Sequence, residues 1–142
     1  MNPNVQIKRI HPDAKLPAYA YEGDAGMDLF TIEDYTIAPG ERHVFPTGIA
    51  MKIPEGFVAL VWDKSGLSHK AGIKVFGGVL DSNYTGEYLI GLMNLSNEPH
   101  EFKKGDKIAQ VLIQPVATAT IEEAKELPET NRGDKRHGSS GK

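Results

Sequence analysis

Short runs of apolar and β-branched residues recur along the chain, and residues that favour turns separate them. Runs of this length and spacing are typical of the strands of an all-β sandwich or barrel. Turn signals stand between them at residues 39–40 (PG), 54–56 (PEG) and 104–106 (KGD). The strands predicted from this pattern are residues 5–10, 35–37, 43–45, 49–53, 57–62, 74–80, 88–95 and 108–116.

Two of the predicted strands differ in how their faces are covered. Residues 49–53 (IAMKI) alternate, and this pattern predicts one face toward solvent. Residues 57–62 (FVALVW) are apolar throughout, which predicts a strand covered on both faces. Some of the sheet surface is therefore expected to be buried by another layer or by another subunit.

The C-terminal part of the chain has a different character. Residues 120–127 (TIEEAKEL) could form a helix, because Thr120 and Glu123 have the spacing of a capping box. Residues 131–142 are rich in glycine, serine and charge and contain no large aliphatic residue, so they cannot pack as core. We predict a β domain of residues 1–130 with at most one short helix, followed by a flexible arm. A frayed terminus without function is the alternative for the arm.

Composition narrows the class of protein. The 142 residues suffice for one domain with its own core, and they include no cysteine, which excludes disulfides and thiol chemistry. The start of the chain lacks the pattern of a secretory signal, and no apolar stretch is long enough to span a bilayer. These features predict a soluble, cytoplasmic protein. The formal net charge of −3 argues against a broad nucleic-acid surface, although local cations could still bind a small anion.

Two short segments combine polar side chains with glycine. Residues 24–29 (DAGMDL) form a small-residue turn that runs into a strand. Residues 63–68 (DKSGLS) follow an apolar strand and place Lys64, Ser65 and the amide of Gly66 side by side. Such a group can bind a phosphate, because hydroxyl and amide groups donate to its oxygens while the ammonium offsets its charge. A plain polar turn is the alternative for either segment.

A third segment, residues 77–86 (GGVLDSNYTG), is the most informative. A glycine pair lets a strand bend, or lets a ligand approach the backbone closely. Asp81 and Tyr84 follow the pair at a tip that resembles a hairpin. Asp81 could activate a water molecule as a general base, and Tyr84 could offer a flat wall to a sugar or base. Alternatively, Asp81 begins an ordinary turn and Tyr84 packs against it.

Two further segments carry groups suited to phosphate. In residues 105–110 (GDKIAQ), Gln110 enters an apolar strand and needs a partner, since an unsatisfied buried amide is costly. A ligand phosphate or a protein carbonyl would serve equally well. In residues 132–141 (RGDKRHGSSG), the glycines, the serines and Arg132 can wrap an anion, and His137 can stack on a base. A disordered basic tail is the alternative.

Taken together and in this order, the five segments resemble the five motifs of the trimeric dUTPase family, from residue 24 to residue 141. The resemblance implies an all-β fold described as a β-clip or a distorted jelly-roll barrel. It implies a homotrimer whose sites are shared between subunits. The implied enzyme is a dUTP diphosphatase, which hydrolyses dUTP to dUMP and pyrophosphate, supplies a precursor of dTTP and keeps uracil out of DNA.

The resemblance also implies a role for each motif residue. It makes Asp81 the general base for the water that attacks the α-phosphorus, and it puts Tyr84 against the deoxyribose. His137 would cover the base, and Asp28 would support the site beside Lys64. The residues implied for substrate binding are Lys64, Ser65, Gly66, Gly78, Val79, Tyr84, Gln110, Arg132, His137, Gly138, Ser139 and Ser140.

The cofactor implied by the resemblance is Mg²⁺, held mainly by the triphosphate and water, so no protein ligand is predicted. The chain departs from the usual motifs at four positions. Lys64 stands in place of arginine, His137 of phenylalanine, Asp63 of proline and Arg136 of glycine. Lysine lacks the planar fork of arginine, and histidine brings a proton-dependent charge close to the triphosphate. None of the four removes a group that the chemistry needs.

Two other functions are compatible with such a sequence. A dCTP deaminase would share the fold but act on the base, and the pairing of Asp81 with Tyr84 resembles the hydrolase pattern instead. A binding or sensor protein of the same fold would have lost catalysis. The presence of Asp81 and of the whole final segment argues against that alternative.

Overall fold

A computed structural model of the chain describes residues 2–138, 140 and 141. These residues form ten strands and one short helix, so the prediction of an all-β fold with at most one short helix is confirmed. No helix in this part of the chain is long and apolar enough to cross a membrane. In chain order the elements are β1 Gln6–Arg9, β2 Met27–Phe30, β3 Tyr35–Ile37, β4 Arg42–Lys52, β5 Phe57–Trp62, α1 Ser65–Ala71, β6 Ile73–Phe76, β7 Val79–Leu80, β8 Glu87–Asn94, β9 His100–Phe102 and β10 Lys107–Pro115.

The strands form two four-stranded antiparallel sheets and one separate pair. The first sheet has the order β1-β4-β8-β6, the second has the order β2-β10-β5-β7, and β3 pairs with β9. Both sheets contribute to one hydrophobic cluster, because alternate residues of each strand point inward. Large side chains that are fully buried in this cluster include Tyr88, Phe45, Phe102, Leu29 and Ile108.

Strands β2 and β9 were not predicted from the pattern of apolar runs, and the ends of several other strands differ by one residue. Two larger differences concern how predicted strands are joined or divided. Residues 43–45 and 49–52 belong to the single strand β4, whose pairing with β8 shifts between Pro46 and Ala50. The predicted strand 74–80 is divided between β6 and β7, because the chain turns at Gly77 with a φ of +65°. A glycine adopts this left-handed conformation without strain.

The predictions of which faces of β4 and β5 are buried are confirmed only in part. In β4, Ala50 is buried although it lies on the side expected to face solvent. It pairs in register with Lys8 and Glu87, whose longer side chains stand beside it on that face. In β5, one face enters the core, while Trp62 on the other face is 51% exposed. Within one chain, β5 is therefore covered completely on only one side.

The predicted helix over residues 120–127 is wrong. These residues adopt no helix, and Ile121 and Leu127 are 94% and 84% exposed. A segment this short is a marginal helix in water unless an apolar face packs against something, and here nothing in the described chain covers it. The helix forms instead at Ser65–Ala71, in the segment predicted as a phosphate-binding or plain polar turn.

Helix α1 forms because of its packing and its C-terminal cap. Leu67 and Ala71 lie four residues apart, hence on one face, and both pack against the core cluster. Gly72 ends the helix in the left-handed conformation, and its N–H donates to the carbonyls of Leu67 and Ser68. Such a glycine is a common helix terminator. The helix thereby fixes the polar residues at its start.

Candidate active site

Three of the five segments meet across the second sheet. Asp28 on β2 lies opposite Gln110 on β10, and Gln110 lies opposite Trp62 on β5. Asp28, Gln110 and Trp62 thus form a row across three strands. Because Trp62 is the last residue of β5, the turn at Asp63 and Lys64 begins directly beside this row. The register of three strands therefore brings the first, second and fourth segments together.

Gln110 connects two of these segments. Its Nε2 donates a hydrogen bond of 2.8 Å to the carbonyl of Asp63. The partner of this amide is therefore a protein carbonyl, one of the two possibilities that the sequence left open. Its Oε1 lies against Gly26, where an added Cβ atom would be only 2.4 Å away. Gly26 thus provides the space that the Gln110 side chain occupies.

Asp28 binds two lysines at the base of this row. It is 3% exposed; Lys64 donates to its Oδ1, and Lys107 Nζ lies 2.9 Å from its Oδ2. Burial raises the pKa of the Asp28 carboxyl, but hydrogen bonds and charges from both lysines outweigh burial and hold that pKa below its usual 3.8. The same contact raises the pKa of Lys107. Asp28 and the two ammonium groups together leave one positive charge. The carboxylate of Asp24 offsets part of it at Lys107, so the remaining excess, which favours an anionic ligand, lies toward Lys64.

Sequence reasoning missed the contribution of Lys107. It lies inside the fourth segment, and a cation three residues before Gln110 was available as a signal. Its contact with Asp28 depends on a register irregularity between Lys107 and Ala109 in the pairing of β10 with β2. Such an irregularity cannot be seen in the sequence alone, because it depends on how the two strands pair.

The third segment runs beside β5 and then leaves it. Val79 and Leu80 pair with Leu60 and Ala59 in register. Just before them, the carbonyl of Gly78 accepts a 2.7 Å hydrogen bond from the N–H of Val61. A Cβ atom on Gly78 would lie 2.4 Å from the carbonyl oxygen of Val61, so this close approach requires glycine.

Asp81 and Tyr84 lie on the turn that follows β7. The turn connects β7 in one sheet with β8 in the other, so the expected hairpin-like tip is instead a link between sheets. The N–H of Tyr84 donates to the carbonyl of Asp81 at 3.1 Å, and the hydroxyl of Tyr84 donates to the carbonyl of Glu87 at 2.7 Å. The Asp81 carboxylate is exposed, and no donor in the described chain is hydrogen-bonded to it.

Within one chain, Asp81 lies away from the other segments. It follows Leu80, which lies opposite Ala59, whereas the Lys64 turn follows Trp62 at the opposite end of β5. The strand from Ala59 to Trp62 alone spans about 10 Å at the usual rise per residue. The first, second and fourth segments therefore meet at one end of β5. Asp81, the acid of the third segment, lies toward the other end.

The hydrogen bonds of the final segment are local among the described residues. The last hydrogen bond to the β-sheet body is from the N–H of Val116 to the carbonyl of Gly56, at 2.9 Å. Beyond it, Arg132 Nε donates to the carbonyl of Lys135 at 3.1 Å. The described candidate residues of this segment are all exposed, and Ser139 lies outside the described residues. The exposed ones are Arg132, His137, Gly138 and Ser140.

Comparison with known proteins identifies the family. A family model described as dUTPase matches residues 12–141. The chain belongs to the dUTPase family. A relative from Clostridium tetani, named deoxyuridine 5'-triphosphate nucleotidohydrolase, is 44% identical over 140 residues, which cover 97% of each chain. The family predicted from the five segments is confirmed, and so is the prediction of an enzyme of the dUTP diphosphatase type.

Solved dUTPase structures have the same fold. A variant of the dUTPase from Staphylococcus bacteriophage 80alpha, solved with dUpNHpp, superimposes with a TM-score of 0.89 at 30% identity, covering 97% of this chain and 98% of that one. A variant dUTPase from phage phi11 of S. aureus, described as revealing the coordination of a structural Mg(II) ion, gives 0.83 at 26% identity, with 89% and 99% coverage.

Two departures from the usual dUTPase motifs make defined contacts. Lys64, in place of arginine, donates to Asp28. Asp63, in place of proline, accepts hydrogen bonds of 2.6 Å from the N–H of Val75 and from Lys74 Nζ. These bonds tie the turn to β6, and the only signal for them in the sequence is an acid directly after an apolar strand. Arg136 and His137 are exposed, and among the described residues their side chains form no hydrogen bond or ion pair with the sheets.

Proposed function

We propose that this dUTPase-family enzyme hydrolyses dUTP with Asp81 as the general base, which deprotonates the water that attacks the α-phosphorus. The observation that carries this role is the state of the Asp81 carboxylate. It is exposed and accepts no hydrogen bond from the described residues, while its backbone is held by Tyr84. A general base needs a free acceptor in a fixed place. The leaving group is pyrophosphate and the product is dUMP.

Recognition of the nucleoside is assigned to the strand and turn around Asp81. β7 is the last strand of its sheet, so its outer backbone groups can pair with the uracil edge at Gly78 and Val79. Cytosine would present the wrong hydrogen-bond pattern, and thymine would add a methyl group. Tyr84 would lie against the deoxyribose, where a ribose 2′-hydroxyl would collide with its ring. Its hydroxyl bond to Glu87 supports this role by fixing the ring.

The phosphates are assigned to the opposite end of β5 and to the arm. Ser65 and the amide of Gly66 would bind the α- and β-phosphates, next to the excess positive charge around Asp28. Gln110 would add a contact from β10. From the arm, residues 132–140 would close over the γ-phosphate, and His137 would cover the base. The predicted division into a β domain of residues 1–130 and a flexible arm belongs to this proposal.

A homotrimer with shared sites would reconcile these assignments. Asp81 and Ser65 lie at opposite ends of β5, too far apart to act on adjacent atoms of one substrate within one chain. A second copy could present its Ser65 end to the Asp81 end of the first. Trp62 is 51% exposed and Val79 is 66% exposed, and such apolar surface is available for contact between subunits. A third copy could supply the arm.

Mg²⁺ fits as an ion carried by the substrate. The described residues contain no group of three or more acidic or histidine side chains arranged to hold a metal. Triphosphate oxygens and water are ligands that Mg²⁺ prefers, so the ion would enter with dUTP and offset charge on the departing pyrophosphate. The cytoplasmic location remains a prediction.

The experiment is to replace Asp81 with Asn and to assay dUTP and dCTP with Mg²⁺. The amide keeps the shape of the side chain but cannot take the proton, so kcat should fall by about 10²–10⁴-fold while dUTP affinity is largely kept. Glu55 lines the same cavity as Asp81 and provides a matched control, since Glu55→Gln should keep full turnover. Ammonia from dCTP would instead identify a deaminase, and binding without turnover by the parent would identify a sensor.

A further inference from the structure

Lys52 makes a long-range contact with the turn that carries Asp81. It is the last residue of β4, and its Nζ donates a hydrogen bond of 2.8 Å to the carbonyl of Ser82. Ser82 directly follows Asp81 in the chain. Thirty residues of sequence separate donor and acceptor, so this bond joins two distant parts of the fold.

The other hydrogen bonds of this turn are local. Tyr84 donates to Asp81 and to Glu87, both within three residues. Among the described residues, the bond from Lys52 is the only side-chain hydrogen bond that ties residues 81–86 to a strand other than the flanking β7 and β8. Local bonds fix the shape of a turn but leave it free to pivot on its flanking residues. A bond to a distant strand restricts that pivot.

The position of Lys52 makes it a firm anchor. Its backbone pairs in register with Gln6 of β1, and β4 is also paired with β8. Lys52 and Asp81 line one open cavity of about 640 Å³, together with Ser82 and Asn83. The hydrogen bond from the Lys52 ammonium group is charge-assisted but exposed to solvent, so it acts on the turn by fixing its place rather than by a large gain in stability.

We propose that Lys52 is a positioning residue for dUTP hydrolysis, which holds the turn so that Asp81 meets the attacking water and Tyr84 meets the deoxyribose. This inference rests on the proposed roles of those two residues. Lys52 itself exchanges no proton and touches no reacting atom. A displacement of the base by about 1 Å is enough to lower turnover on the order of 10²-fold.

The test compares Lys52→Met, Lys52→Arg and Lys8→Met. Methionine keeps most of the stem and removes the donor, whereas arginine keeps a donor. Lys8 is a matched control, because it is an exposed lysine on the neighbouring strand β1 and lines an adjacent cavity with Lys52. We expect Lys52→Met to lower kcat about 10- to 100-fold with KM for dUTP changed less than about threefold. Lys52→Arg should restore most of the turnover, and Lys8→Met should behave as the parent.

Two further measurements separate positioning from general stability. Because Tyr84 lies on the same turn, Lys52→Met should raise the ratio of kcat/KM for UTP to that for dUTP, while dUpNHpp binding stays within about threefold of the parent. A kcat and a UTP ratio equal to those of Lys8→Met would overturn the proposal. So would a fall in kcat with an unchanged UTP ratio and a lower melting temperature, since that pattern indicates a structural role.

The roles of Lys52 and Asp81 can fail separately. If Asp81→Asn keeps its turnover, the assignment of the base is wrong, whatever Lys52 does. If Asp81→Asn is inactive and Lys52→Met has the kcat and UTP ratio of the parent, the proposed function stands and the positioning role is wrong.

Discussion

The side-chain amide of Gln110 donates a 2.8 Å hydrogen bond to the main-chain carbonyl of Asp63. This contact joins β10 to the turn that precedes α1, so one residue couples the sheet to the proposed phosphate-binding segment. Both polar atoms of the Gln110 side chain have a defined neighbour. Its nitrogen holds the turn, and its oxygen lies against Gly26.

Replacing Gln110 with Glu should disrupt both the turn and phosphate binding. The carboxylate has nearly the same shape, but it cannot donate to the Asp63 carbonyl and it repels the triphosphate. We expect the free energy of unfolding to fall by about 1–3 kcal/mol and KM for dUTP to rise. Gln114→Glu makes the same chemical change at an exposed position of the same strand and serves as the control. Equal effects of the two variants would show that the Asp63 contact is unimportant.

Asp28 should make the stability of the protein depend on pH in the acid range. Its pKa is held below 3.8 in the folded state, so its contribution to stability is present above that value and is lost as pH falls through the folded pKa. Unfolding free energies measured between about pH 2 and pH 6 should therefore fall on acidification in the parent, and less steeply in Asp28→Asn. Asp134→Asn, on the exposed arm, should keep the slope of the parent. Parallel curves for the parent and Asp28→Asn would contradict this.

Much of the fold could be predicted because β-strands leave a local pattern. Residues 35–37 and 57–62 were predicted with the boundaries that β3 and β5 have. The helix predicted at residues 120–127 and the helix observed at Ser65–Ala71 show where the local pattern fails. Residues 120–127 have good helix formers but nothing to pack against, whereas α1 contains glycine and two serines and forms because Leu67 and Ala71 reach the core. Tertiary contact decided both cases, and tertiary contact is not visible in a single short segment.

The candidate site could likewise be predicted only in part. All five segments could be found in the sequence, since they combine glycines with acids, hydroxyls and cations and together resemble the family's motifs; the roles of their residues stay predictions. Their spatial grouping could not, because it follows from sheet order and register. Lys107 reaches Asp28 through a register irregularity, and Lys52 reaches Ser82 across thirty residues. Neither contact has a sequence signature.

Gly78 should not tolerate a side chain. A Cβ atom there would lie 2.4 Å from the carbonyl oxygen of Val61, and backbone cannot yield as a flexible side chain does. We expect Gly78→Ala to lower the free energy of unfolding by about 1–3 kcal/mol, as other overpacked sites do. Gly66→Ala is the matched control for stability, since nothing lies within 4 Å of its added Cβ. Denaturant unfolding of both variants decides the matter, and equal midpoints would refute the steric argument.

Deleting residues 131–142 should separate activity from folding. The described part of this segment is exposed, and its hydrogen bonds are local, so its loss removes no contact with the core. We expect the melting temperature and the number of subunits in the assembly to stay unchanged. Turnover of dUTP should fall about 10²-fold or more, because the phosphate donors of the arm and its closure over the site are lost. Full activity of the deleted chain would show that the segment is an ordinary frayed terminus.

Mixed assemblies test whether the arm and Asp81 of one site come from different chains. The arm-deleted chain and Asp81→Asn are each expected to be nearly inactive, but together they contain one good base and one good arm. If sites are shared, some sites of a mixed trimer receive Asp81 from one chain and the arm from another, so activity returns. The two variants would be unfolded and refolded together, mixed trimers confirmed by mass, and pyrophosphate release measured. If each chain instead builds its own site, every site lacks either the base or the arm, and the mixture stays as inactive as its parents.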